Sequence, residues 1–237
     1  ELPFLSDSSE ILSVAWQRIY EQELLHLDEH KGTHLLGVFT HGPGQLWFNR
    51  KYEDLEDIKG LKVRIGGGIA QSSAKALSLV PLQAPVTKAY ELLSGGVADG
   101  IQLPGESISF FKLDRIIKQG FIFDGGLYNV SMFLVINKKK WNKLSQEDKV
   151  AINSVSGEFL AKMAGKAWDK ADAKGIETSI KNGILLKFLS ENDKVKVKKL
   201  LNPIIKNTLE KISKQKQINA QNIYSKLLAE IKLIKNE

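Results

Sequence analysis

The stretch Gly60–Gly68, GLKVRIGGG, sets an arginine near the end of a short apolar run and follows it, after one isoleucine, with three glycines. Residues 61–65 have the apolar content and alternation of a strand, and residues 69–80, IAQSSAKALSLV, carry the three-and-four spacing of a short helix. A strand that hands an obligate cation to glycine-rich backbone just before a helix places the guanidinium at the carboxyl edge of a sheet, where open α/β sheets bind ligands. Glycines allow a ligand close to the main chain, and N–H groups ahead of a helix favour an anion. The planar fork of arginine can grip a carboxylate through two parallel hydrogen bonds. Arg64 with Gly66 and Gly67 therefore reads as an anion site. The local pattern alone leaves a second reading, a surface arginine paired with an aspartate beside a flexible loop. No GK[ST] follows the glycines and no G-x-G-x-x-G is present, which argues against a nucleotide-phosphate loop.

Working outward, residues 6–32 read as a helix that Ser6 or Ser8 can cap and Gly32 ends. THLLGVFTHGPG, residues 33–44, reads as a strand that leaves into a Gly/Pro loop. Thr87 can cap the helix KAYELLSGG, and VADGIQL follows as a short strand. LYNVSMFLVIN, residues 127–137, is the strongest strand pattern in the chain. After it, Ser145 and Asp148 form a loose capping box, and the helical period runs on through residue 175. About 30 residues is long for a globular helix, whose mean is about 11–12, so this segment is expected to lie along two bodies. NGILLKFLS gives one more strand, and the tail is helical. Short strands alternating with short helices predict a mixed α/β fold.

Composition narrows the function classes. The 237 residues include 43% hydrophobic and 26% charged side chains, enough apolar material for one large domain or two lobes. Without cysteine there is no disulfide framework, thiolate metal site or cysteine nucleophile. No run reaches the roughly 18–20 apolar residues that span a bilayer. The net charge of +7 comes from lysines spaced along amphipathic C-terminal helices, such as KVKVKKLLNPIIKNTLEKISKQKQ, with few arginines and no interleaved aromatics. This is a solvated basic surface, and no nucleic-acid partner is expected. His26 and His30 lie four apart without an accompanying zinc motif, so no metal site is assigned. Neither G-x-S-x-G nor H-E-x-x-H occurs, and no catalytic residue is assigned.

The order of four stretches, LEDIKGLKVRIGGG, VPLQAPVTKAYELLSGGVADGIQLP, FKLDRIIKQG and FLVINKKKWNKLSQEDKVAI, resembles the DctP-like family, the substrate-binding proteins of TRAP transporters. The resemblance carries D-x-K-G-L-K-x-R into Arg64 and runs from about Pro3 to the tail. It implies a periplasmic binding protein of type II-like, two-lobed α/β architecture, with mixed sheets, hinge strands and a long helix spanning both lobes. Lobe I would comprise residues 1–42 and 130–169, and lobe II residues 43–129 and 170–237. Members begin with further strand and helix units, so lobe I is expected to be N-terminally incomplete here and the precursor to carry a signal peptide. Arg64 matches the family arginine that pairs with the ligand carboxylate.

The resemblance also sorts the remaining candidates. Many members carry Asn where this chain has Leu103, so the polar contact there would pass to Gln102 or Glu106 on the same loop. Glu106 could orient a ligand hydroxyl or amine, align Arg64, or simply be solvated. Tyr128 and Phe133 could wall or stack on a ligand, and Trp47 lies beside the other crossing; core packing is the competing role for each aromatic. His41, in THGPG, is either a contact near the hinge or an exposed loop residue. The function implied is the extracytoplasmic solute-binding subunit of a TRAP transporter. It would capture a small organic acid by lobe closure and deliver it to the membrane subunits, without a cofactor and without turnover. A ligand-sensing module or an unrecognised enzyme on the same fold is the alternative.

Overall fold

The structure, a computed structural model, describes residues 1–236. In chain order the elements are α1 (Ser9–Glu23), β1 (Thr33–Thr40), β2 (Gln45–Phe48), β3 (Lys62–Ile65), α2 (Ile69–Ala76), β4 (Val80–Gln83), α3 (Ala89–Ser94), β5 (Gly100–Leu103) and α4 (Gly105–Phe110). They continue with β6 (Gln119–Ile122), β7 (Ser131–Asn137), α5 (Lys138–Asn142), α6 (Gln146–Ser154), α7 (Glu158–Lys181), β8 (Leu185–Phe188), α8 (Glu191–Lys216) and α9 (Ala220–Lys235). The chain divides into two compact units. One holds Glu1–Asp7, Gly42–Asn129 and Lys170–Lys211; the other holds Ser8–His41, Val130–Asp169 and the chain from Ile212.

The first unit is built on a six-stranded sheet in the order β4-β3-β5-β2-β6-β8. β3 runs parallel to β4 and β5, β6 parallel to β8, and β2 antiparallel to its neighbours β5 and β6. Side chains alternate across the sheet. Leu46, Phe48, Val63 and Ile65 enter one core with Ala70 and Ala74 of α2 and Val197 and Leu201 of α8. Trp47, Ile101 and Leu103 enter the other with Leu93 and Ile108. The large aromatics of β2 need room, and their neighbours provide it. Gly120 stands opposite Trp47 and Gly100 opposite Phe48, and a Cβ at either would come within 2.6 Å of the facing ring.

The second unit carries the antiparallel pair β1–β7. Ser8 caps α1 by accepting from Ile11 N, and α1 ends at Glu23, followed by a 3-10 turn at Leu25–Leu27 and left-handed Asp28. It therefore stops short of Gly32, because the turn and Asp28 redirect the chain first. The tail also departs from expectation. Residues from 212 group with Ser8–His41 rather than with residues 170–211. The cause is apolar: Ile218 and Ile223 pack with Tyr20, Leu24 and Val38, and Arg18 pairs with Glu230 at 2.7 Å. Conversely, Glu1–Asp7 joins the first unit through Phe4 N to Gly126 O, 2.9 Å, and Gly125 N to Asp7 Oδ1, 2.6 Å.

The expected 30-residue helix is two helices. Ser145 caps α6, and the chain breaks before α7 at Gly157, whose φ of +58° is left-handed and whose N–H donates to Leu36 O at 2.6 Å. Nor does Thr87 cap α3. Residues 86–88 form a 3-10 turn, and α3 begins without a side-chain cap.

Within α7, the run GKAWDKADAKG, residues 165–175, uses the same pair of residue types twice. Asp169 takes the start of α1: Ser8 Oγ at 2.7 Å, Ser9 N at 2.5 Å and Glu10 N at 3.1 Å. Gly165 lies beneath it, where a Cβ would stand 2.5 Å from Glu10 Cα. Asp172 takes the start of α4, accepting from Glu106 N at 2.8 Å, and a Cβ at Gly175 would stand 2.5 Å from Glu106 Cα. Each aspartate offers a carboxylate to the N–H groups at a helix start, and each glycine lets the backbones close up.

Candidate functional site

Arg64 lies on β3 opposite Leu82 of β4 and Ile101 of β5, so its side chain stands on the face that carries Trp47, Ile101 and Leu103. It is 5% exposed. Nε and Nη2 both donate to Ala84 O, at 2.9 and 2.6 Å, just past the end of β4. Among the described residues, that leaves the Nη1–Nη2 edge of the guanidinium without a partner and no carboxylate within ion-pair distance of it. Burial lowers its pKa and the Tyr128 hydroxyl opposes that shift, so the site holds a cation whose desolvation is not offset by an anion.

Tyr128 lies against Gly44: the backbones exchange Gly44 N to Tyr128 O at 2.8 Å and Leu127 N to Gly44 O at 2.9 Å, and a Cβ at Gly44 would run into the ring. Its hydroxyl donates to Gln102 O at 3.3 Å. Burial holds the phenol far above its ordinary range, against the pull of the Arg64 charge and with the push of Glu106 and Glu1. One hydroxyl therefore lies within electrostatic reach of both the arginine and the glutamate.

Glu106 opens α4, with its main chain held by Asp172. Burial raises its carboxyl to about 7; the Ser107 hydroxyl pulls it down and the Asp172 carboxylate pushes it up. No cation pairs with Glu106 among the described residues.

The structure thus gathers Arg64, Tyr128 and Glu106 around one hydroxyl and assigns other roles to several expected contacts. Gln102 is 1% exposed, and its amide atoms have no partner among the described residues. It stands opposite Leu46, on the face away from Arg64, and its link to the cluster is its carbonyl. Trp47, expected beside the ligand, is fully buried and donates Nε1–H to Leu103 O at 2.8 Å; Leu103 is buried beside it in the same core. Both are core residues because a central strand has no free face. Gly67 at φ +118° and Gly68 at φ +59° need glycine, while Gly66 is exposed and unstrained. His41 and Phe133 belong to the other unit. His41 Nε2 accepts from Val130 N at 3.2 Å, and Phe133 is 56% exposed with its ring centroid 4.6 Å from that of His30. Among the described residues, no group of three or more His, Asp or Glu could hold a metal ion, and no helix is long and apolar enough to cross a membrane.

The model of the DctP family, bacterial extracellular solute-binding protein family 7, matches residues 1–212. The chain belongs to the DctP family. This DctP-family chain is similar to a TRAP periplasmic solute-binding protein from Bordetella bronchiseptica, solved with bound (R)- and (S)-mandelate. Identity is 38%, 98% of this chain and 74% of that one are covered, and the TM-score is 0.90. A marine metagenome TRAP solute-binding protein specific for aromatic acid ligands, in complex with metahydroxyphenylacetate, is 26% identical over 98% of this chain and 73% of that one, with a TM-score of 0.88. The Comamonas testosteroni protein named outer membrane transporter protein TsaT is 28% identical over 198 residues, 80% of this chain and 59% of that protein. The DctP-family chain spans 59%, 53% and 47% of the lengths of three curated relatives that it matches, less than two thirds of each. The family and the two solved structures are of solute-binding proteins and not of enzymes.

Proposed function

We propose that this chain serves as the extracytoplasmic, periplasmic solute-binding subunit of a TRAP transporter. It captures a small organic acid by its carboxylate and passes it to the membrane subunits, with the two compact units acting as the lobes. The observation that carries this reading is Arg64, 5% exposed as a residue, with an open Nη1–Nη2 edge and no carboxylate partner among the described residues. A charge removed from water gains most from an anion brought to it, because attraction grows as the local dielectric falls. The Nη1–Nη2 edge matches a carboxylate with two parallel hydrogen bonds, while Ala84 O holds the other edge and fixes the fork. The carboxylic acids bound by the Bordetella and metagenome proteins support the same ligand class.

A thermal-shift screen of organic acids followed by calorimetric titration tests this. Arg64→Ala is expected to weaken the best acid at least tenfold, since truncating one partner of a buried charge pair costs about 2–5 kcal/mol. An unchanged dissociation constant would remove Arg64 from the site.

A further inference from the structure

We propose that Glu106 makes the Arg64 site select monocarboxylic acids that carry a hydroxyl or another neutral hydrogen-bonding group, and reject dicarboxylates. The inference rests on the carboxylate-binding reading of Arg64 given above.

Four observations support it. Glu106 is partly buried and has no cation within ion-pair distance among the described residues. A second carboxylate, Asp172, holds its main-chain N–H at 2.8 Å and itself lies against Gly42, where a side chain would collide with it. Arg64 stands opposite Ile101 of β5, Glu106 follows the end of that strand on α4, and the Tyr128 hydroxyl bonds Gln102 O between them, within electrostatic reach of both charges. That phenol is fixed, through its hydrogen bond to Gln102 O and its seat on Gly44.

A ligand whose carboxylate sits on Arg64 must then present the rest of itself near an unpaired carboxyl with another behind it. A second ligand carboxylate there meets like charge from Glu106, which has no cation within ion-pair distance among the described residues. A hydroxyl meets no such penalty. It donates to Glu106 when that group is ionised, and it accepts from the O–H when Glu106 is protonated. Burial and the Asp172 charge raise the proton affinity of Glu106, so both forms are available near neutrality. The device differs from a site built for two carboxylates, which would need a second cation where this chain has an acid.

The test uses a ring series that differs at one position: benzoate, 3-hydroxybenzoate and isophthalate, titrated calorimetrically into the wild-type chain at about pH 9, where Glu106, with a carboxyl raised to about 7, is ionised. An aliphatic series of butyrate, 4-hydroxybutyrate and succinate is read in parallel. In whichever series binds, the hydroxy acid is expected to bind at least as tightly as the unsubstituted acid, and the dicarboxylate at least tenfold more weakly than the hydroxy acid. Glu106→Gln is expected to shrink that gap at least threefold, and Asp172→Asn to shrink it in the same direction. Each ratio is read on one protein preparation, so a misfolded fraction cancels. Equal wild-type affinity for hydroxy acid and dicarboxylate, or a ratio unmoved by Glu106→Gln, overturns the proposal and leaves the Arg64 reading intact. Failure of both series to bind overturns the Arg64 reading, and this inference with it.

Discussion

Replacing Arg64 with methionine is expected to stabilise the ligand-free protein while removing its affinity for acids. Two opposing terms set the balance. The change deletes the two N–H donors on Ala84 O and leaves that carbonyl short of a partner, a loss of about 1–3 kcal/mol. Against this, Arg64 is 5% exposed as a residue and has no carboxylate partner among the described residues. Its charge therefore carries a desolvation penalty of up to several kcal/mol, reduced by whatever water reaches the open Nη1–Nη2 edge, and that penalty disappears with the charge. Methionine also keeps the length of the side chain and is flexible enough to fill the vacated space beside Leu82 and Ile101. The net gain is about 1–3 kcal/mol, or roughly 2–4 °C in Tm per kcal/mol for a chain of this size. Thermal unfolding followed by circular dichroism, without ligand, reads this directly. A bound acid at 100 times its dissociation constant should add about 2.7 kcal/mol to the wild type and nothing to the variant. A ligand-free Arg64→Met that is less stable than the wild type would refute this and show instead that the bonds to Ala84 O outweigh the buried charge.

Two further outcomes follow from the same geometry. The carboxyl of Glu106 has a folded pKa near 7 against an ordinary value of 4.5, so this group stabilises the fold least when ionised. The wild type should therefore lose stability relative to Glu106→Gln as pH rises from about 4.5 to about 7, and paired melting curves that diverge the other way would contradict it. Gly165→Ala places a Cβ 2.5 Å from Glu10 Cα, which forces α1 off α7. Overpacking of this kind costs about 1–3 kcal/mol, so faster amide exchange along α1 is expected, with acid affinity unchanged because the site residues lie elsewhere.

Much of the fold was readable because strands and capped helices announce themselves locally. β3 and its arginine, the glycine turn into α2, the Ser145 cap and β7 all follow from neighbours in sequence. The break between α6 and α7 was hidden because the apolar spacing persists across Gly157, and only the left-handed φ and the bond to Leu36 reveal it. The return of the tail rests on Ile218, Ile223 and Glu230 meeting α1, contacts about 200 residues apart in sequence that no local pattern encodes.

The site divides in the same way. The position of Arg64 near the end of β3 was legible in the sequence, and Glu106 was one candidate among several. What makes Glu106 distinctive is Asp172, 66 positions away, whose spacing with Asp169 reads in sequence as an ordinary wet helix face. Gly165 and Gly175 offered a signal, since two glycines within one helix carry a cost that close packing explains. For Trp47 the competing core-packing role is the one the fold supplies, and its cause, that β2 sits in the middle of its sheet between β5 and β6, does not show in the sequence.

The facing pairs on that central strand constrain how relatives can diverge. Trp47 fills the space above Gly120, and Phe48 the space above Gly100, so neither glycine can change while its aromatic remains. Exchange should be concerted. A homologue with a small side chain at position 47 is free to carry alanine or valine at 120, and one that keeps tryptophan is not, so an alignment should show columns 47 and 120 varying as a couple, whereas a Cβ at Gly100 would also stand 2.7 Å from Trp47 O and that column should stay glycine.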